Sequence, residues 1–117
     1  MYASCVDQEF EMPPSVSAAS DLLQDKGHAI DMAASLLKAM ANEKRLQIIC
    51  LLADQELSVT QINHHLALSQ SALSQHLAIL RRESLVQTRR ESQTIYYSLN
   101  SDSANAIIST LANYFGR

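Results

Sequence analysis

A mainly α fold closed by a small β-hairpin is what this 117-residue sequence predicts, on three observations. Between Ser58 and Arg82 lie two short amphipathic segments, each opened by a serine able to cap a helix. Residues 85–99 then turn β-branched and aromatic, with a polar break midway. The flanking segments, from Ala29 and from Ser101, carry helical apolar stripes too wide for one small domain to cover.

Taken in order, residues 1–27 read as a flexible acidic arm. Pro13-Pro14 and the small residues around them oppose a long helix before about Val16. Residues 28–117 form the folded domain. Its first helix runs from Ala29, with Ile30, Ala33, Ala34, Leu37 and Met40 on one stripe and Met32 and Leu36 apolar off it. Asn42 caps a second helix reaching about Leu52, with Leu46, Ile49 and Cys50 expected toward the interior. Ser58 and Gln61 have capping-box spacing for a third, whose buried edge is Val59, Ile62 and Leu66. Leu66-Ala67-Leu68 makes a turn, and Ser69 caps the next helix, which buries Leu73, Leu77 and Leu80. Two strands follow, Leu85–Arg90 and Thr94–Leu99, reversed by Glu91-Ser92-Gln93, with Ile95, Tyr97 and Leu99 on the packing face. A last helix, capped by Ser101, carries Ala104, Ile107, Ile108, Leu111, Ala112 and Phe115.

The helix after Ser69 separates its faces by chemistry. Gln70, Ser71, Ser74, Gln75 and Ala78 lie opposite the leucines and carry no charge, although a helix face stabilised only by solvent favours Glu–Lys pairs. Amides and hydroxyls at that spacing suit the donor and acceptor edges of bases in a groove; the bland alternative is an ordinary polar face. Arg89 and Arg90 stand just before the hairpin tip, where they suit phosphates or, alternatively, protect a strand edge from pairing. The net charge of −3 hides a division. Residues 1–41 hold six acids and two bases, for −4, whereas residues 42–90 hold six bases and four acids, for +2. The positive part coincides with the tandem helices and hairpin.

From Leu36 to Phe115 the sequence resembles the ArsR/SmtB family of dimeric winged-helix repressors, through LLKAMANEKRLQIICLL, LSQSALSQHLAIL and LVQTRRESQTIYYSL. It is most similar to the haemolysin-regulator and biofilm-growth-repressor branch, several members of which sense reactive sulfur species through paired cysteines. The resemblance implies a winged helix-turn-helix, a homodimer built through the N- and C-terminal helices, and a palindromic operator in double-stranded DNA. Gln70, Ser71, Ser74 and Gln75 are then the candidates for base contacts. Ser69, Arg81, Arg89, Arg90 and Gln93 are the candidates for backbone or minor-groove contacts. Where the family often has glycine before the wing and at its tip, this chain has Ser84 and Ser92, which implies a wing angled differently or a turn of another type.

The resemblance also places Cys50 at the branch's first sensor position, with Gly116 where the partner cysteine belongs. Cys5 is the only other thiol, so oxidant or reactive-sulfur sensing rests on Cys50, with Cys5 as a substitute partner if the arm folds back. Inert packing is the competing reading of a thiol on an apolar helix side. No metal and no cofactor are expected. Family members binding soft metals use an ELCVC-like run where this chain has Glu56-Leu57-Ser58-Val59-Thr60, and Asp102 stands alone on the last helix. His64, His65 and His76 read better as surface or DNA-backbone groups than as ligands. An enzyme would need a base placed beside Cys50, which the spacing does not supply. A winged helix used only for protein contacts remains a third class. Without an apolar run of about twenty residues or a secretory start, the expected location is the cytoplasm, away from membranes.

Overall fold

The computed structural model describes residues 17–24 and 27–116, which divide into two compact units at Ala34/Ser35. In the first unit, α1 (Ser17–Leu23) is a short helix within the stretch read as an arm, and Leu22 and Leu23 on it are exposed. A second helix, α2 (His28–Met40), begins in the first unit and ends in the second. Ile30 and Met32, on its first half, are exposed.

The second unit holds the rest of α2, then α3 (Glu43–Leu52), β1 (Leu57–Ser58), α4 (Val59–Leu66), α5 (Gln70–Arg82), β2 (Val86–Glu91), β3 (Thr94–Leu99) and α6 (Asp102–Phe115). Each cap expected from sequence is formed. Asn42 accepts from the Lys44 and Arg45 amides, Ser69 from Ala72, and Ser101 from Ala104. Ser58 and Gln61 close a reciprocal capping box. The sheet is antiparallel in the order β1-β3-β2, so the expected hairpin gains a third strand. With two residues, that strand is too short for any alternation to announce it. The hairpin turns through Ser92 and Gln93, Glu91 pairing with Thr94, one residue tighter than expected.

The core is the apolar side of these helices. Ile48, Ile49, Leu52, Ile62, Leu73 and Leu80 are its largest fully buried side chains, and no polar or charged side chain is buried among the described residues. One expectation is refined and one corrected. On α2, Leu36 packs on the core and Leu37 is 53% exposed, because Ala39 and Met40 fix the helix phase, so part of the wide apolar stripe stays in solvent. On α3, Ile48 and Ile49 take the interior and turn Cys50 outward, leaving its thiol exposed.

The expected change of turn at the wing does not occur. Ser84 (φ 63) and Ser92 (φ 58) both adopt the left-handed conformation that glycine normally supplies. Ser84 lies just past α5, where its amide donates to the Arg81 carbonyl and the Leu85 amide donates to the Leu80 carbonyl. That pattern is a Schellman closure, sealed by buried Leu80 and Leu85, and it needs a left-handed residue whichever side chain is present. A Cβ costs about 1–2 kcal/mol there, part of which glycine returns through the greater freedom of the unfolded chain. Ser84→Gly and Ser92→Gly are therefore expected to raise stability by a few tenths to about 1 kcal/mol each. Urea unfolding checks this: each midpoint rises at unchanged slope, and a fall in both would contradict the turn geometry.

Candidate nucleic-acid interface

The turn between α4 and α5 decides how α5 is presented. Ala67 ends α4 in the left-handed conformation (φ 56), its amide donating to the Asn63 carbonyl at 2.8 Å. The Asn63 side chain then grips Leu68 from both sides. Its Nδ2 donates to the Leu68 carbonyl at 2.9 Å, and its Oδ1 accepts from the Leu68 amide at 2.8 Å. Both backbone groups of Leu68 are satisfied by one amide, which fixes the chain direction entering Ser69. Asn63 is absent from the candidates read in the sequence; an Asn shortly before the helix end is its only local sign.

On α5, Leu73, Leu77 and Leu80 are 1%, 3% and 0% exposed, so their ridge is locked in the core. Gln70, Ser71, Ser74, Gln75 and Ala78 are all exposed on the other side, as their spacing predicts. Ser69 uses its hydroxyl oxygen to accept the Ala72 amide at 3.1 Å and lies 3.5 Å from the Ser71 hydroxyl. The face ends in Arg81 and Arg82, near the helix C-terminus where cations are favoured. Arg82 lies 3.6 Å from Glu83, whereas the Arg81 side chain has no hydrogen bond or ion pair among the described residues.

His76 shares α5 but faces neither side fully. It lies 3.5 Å from Arg45, whose guanidinium donates to the Ala39 and Lys38 carbonyls at 2.6 and 3.3 Å and so caps the end of α2. One arginine thus ties the end of α2 to α3 and to α5. Burial, followed by the charges of Arg45 and Lys44, pushes the His76 imidazole below its usual range.

At the wing, register divides the basic residues. Arg89 pairs with Tyr96 and shares that face, whereas Arg90 pairs with Ile95 on the face that continues to Tyr97 and the core. The Arg89 guanidinium is engaged on several sides. It donates to both Glu56 oxygens at 3.0 and 2.6 Å and to Glu91 at 3.2 Å, and its carbon lies 4.9 Å from the Tyr96 ring centre. These contacts hold the Glu56 carboxyl below the usual carboxylate range and raise Arg89 further. The Arg90 side chain has no hydrogen bond or ion pair among the described residues, and Gln93 is exposed at the tip.

Cys50 lines a groove of about 420 Å³ with Glu43, Leu46, Gln47, Leu51, His65 and Leu66. Cys5 lies outside the described residues. Among them no group of three or more potential ligands gathers as a metal site, and no helix is long and apolar enough to cross a membrane.

Tandem helices joined by a tight turn, followed by a β-hairpin, define a winged helix-turn-helix. Residues 42–88 match the bacterial regulatory proteins of the arsR family. The transcriptional activator HlyU of Vibrio cholerae is 53% identical over 98 residues, 84% of this chain and 91% of that protein. The biofilm growth-associated repressor of Agrobacterium fabrum is 42% identical over 82 residues, 70% of each chain. The solved structure of reduced HlyU from Vibrio cholerae superposes with a TM-score of 0.75 at 52% identity, covering 80% of this chain and 99% of that one. A homodimeric winged helix-turn-helix DNA-binding domain from Mycobacterium bovis superposes at 0.69 and 30% identity, covering 78% and 84%. The chain belongs to the ArsR family of transcriptional regulators. These relatives are transcriptional regulators and not enzymes.

The depressed His76 gives a prediction with a fixed sign. Just below pH 6.5 the unfolded chain carries a proton that folded His76 resists, so stability is complete above that pH and declines as pH falls through the window. Replacing His76 with Gln is expected to flatten the stability profile between about pH 7 and 5, read by denaturant titration. An unchanged slope would mean that the imidazole is solvated.

Proposed function

We propose that this regulator acts as a homodimer on a palindromic operator, its two α5 helices entering successive major grooves about one helical turn apart. The observation that carries this is the exposed, uncharged Gln70, Ser71, Ser74 and Gln75 face, held rigid by a fully apolar opposite side. In this reading those four residues address base edges, while Ser69, Arg81, Arg90 and Gln93 address the backbone or minor groove. Arg89, the remaining cation expected at DNA, is already paired. Pairing of two chains is supported by large apolar side chains left in solvent: Tyr114 and Phe115 on α6 are 78% and 79% exposed. The homodimeric domain from Mycobacterium bovis supports it by analogy.

The relatives include an activator and a repressor, and occupancy of DNA is compatible with either outcome. Its effect on transcription depends on where the operator lies relative to the promoter. The repressor assignment is the working form, with relief of silencing as its alternative. Modification of Cys50 by an oxidant or reactive sulfur species, joined or not by Cys5, is proposed to lower operator affinity. The exposed thiol in its groove beside His65 supports this, since a packed thiol would be shielded.

One set of titrations tests both parts. On duplexes selected from a random pool, Gln75→Ala is expected to narrow the affinity gap between preferred and scrambled sequences by about 1–3 kcal/mol. Arg90→Ala weakens all sequences alike and lowers the salt slope by about one. Equal losses from both changes on every sequence would refute the division of roles. After polysulfide treatment the wild type releases its operator and Cys50→Ser retains it; release by both variants would remove Cys50 as the sensor.

A further inference from the structure

The position of Arg89 and its partners point to different jobs. It lies on a strand of the wing, where a free guanidinium would meet phosphate. Yet three of its N–H groups are directed to carboxylates within the chain, two of them side by side on Glu56. Side-by-side pairing of this kind fixes orientation as well as distance. Glu56 comes from the loop that enters β1, 33 residues away in sequence. Since β3 lies between β1 and β2, the pair reaches across the central strand, over the ring of Tyr96. Glu56, Tyr96 and Arg89 share one face of the sheet, as the registers Ser58↔Tyr96 and Arg89↔Tyr96 require. The opposite face presents Arg90.

We infer that Glu56 and Arg89 form a clamp that sets the angle of the wing against the helix-turn-helix, and that Arg89 is a positioning residue while Arg90 supplies the phosphate contact. This rests on the DNA-binding function proposed for the chain. The pair is partly exposed, with the Arg89 side chain 51% and the Glu56 side chain 36% accessible, so its effect on global stability is small. Its effect on direction is larger. β1 holds the wing through only two paired residues, and the hairpin extends beyond that support to Ser92 and Gln93. A link from the loop before β1 to the outer strand restrains the hinge motion that such a short attachment leaves open.

Salt dependence separates a clamp from a ligand, since each phosphate contact adds about one unit to the slope of binding against salt. The probe is a labelled duplex selected by the wild-type protein, titrated between about 50 and 200 mM NaCl. Glu56→Gln and Arg89→Gln are each expected to weaken binding roughly three- to tenfold at unchanged slope. The double variant falls no further than the weaker-binding single variant. The clamp is overturned if Arg89→Gln lowers the slope by about one while Glu56→Gln tightens binding, for then Glu56 merely competes with phosphate. Hydrogen exchange on the free protein probes the clamp without DNA: Glu56→Gln speeds amide exchange in residues 86–99 but leaves residues 70–82 unchanged. Equal protection of the wing in both proteins contradicts the clamp even if no duplex is bound.

Discussion

Everything that α5 presents to solvent depends on what its other side gives up to the core. Leu73, Leu77 and Leu80 join Ile48, Ile49, Leu52 and Ile62 in one apolar cluster without a buried polar side chain. Burial of each such side chain stabilises the fold by about 1.5–3 kcal/mol, against about 0–1 kcal/mol for an exposed ion pair. The leucine ridge therefore fixes the helix. No charged pair on its outer face is required, and that face can consist of amides and hydroxyls. The residues proposed to read DNA are ones that stability does not need.

Precision is added by short polar devices at the joints. Asn63 closes the turn onto Leu68, Ser58 and Ser69 start the two helices, and Arg45 links the end of α2 to His76 on α5. Each contributes about 1 kcal/mol or somewhat more, too little to choose the fold yet enough to choose the geometry within it. The left-handed serines work in the opposite direction. Ser84 and Ser92 hold conformations that cost energy because the Schellman closure and the tight hairpin demand them.

What the sequence disclosed follows the range of each interaction. Helix caps act within three residues, so Asn42, Ser58, Ser69 and Ser101 were all legible. The apolar ridge of α5 repeats regularly enough to phase the helix. Leu36 and Leu37 could not be ordered in this way, since both are apolar and only the surrounding core selects between them. Cys50 misleads for the same reason: its neighbour Ile49 takes the buried position. The union of Glu56 with Arg89 joins residues 33 apart across an intervening strand, and no local pattern signals it. β1 is visible only through the strand it pairs with.

Charge is distributed consistently with this division. Net −3 for the whole chain coexists with basic groups around α5 and the wing, and Glu56 cancels one of them locally. In the proposed reading, attraction to phosphate is accordingly modest and selectivity comes from two paired neutral faces. Protection of guanine N7 from methylation along a bound operator tests that most directly, because it reports occupancy of the major groove. The account predicts two protected patches, centred about 10 base pairs apart and related by a two-fold axis. One isolated patch, or binding with every N7 still reactive, would contradict it.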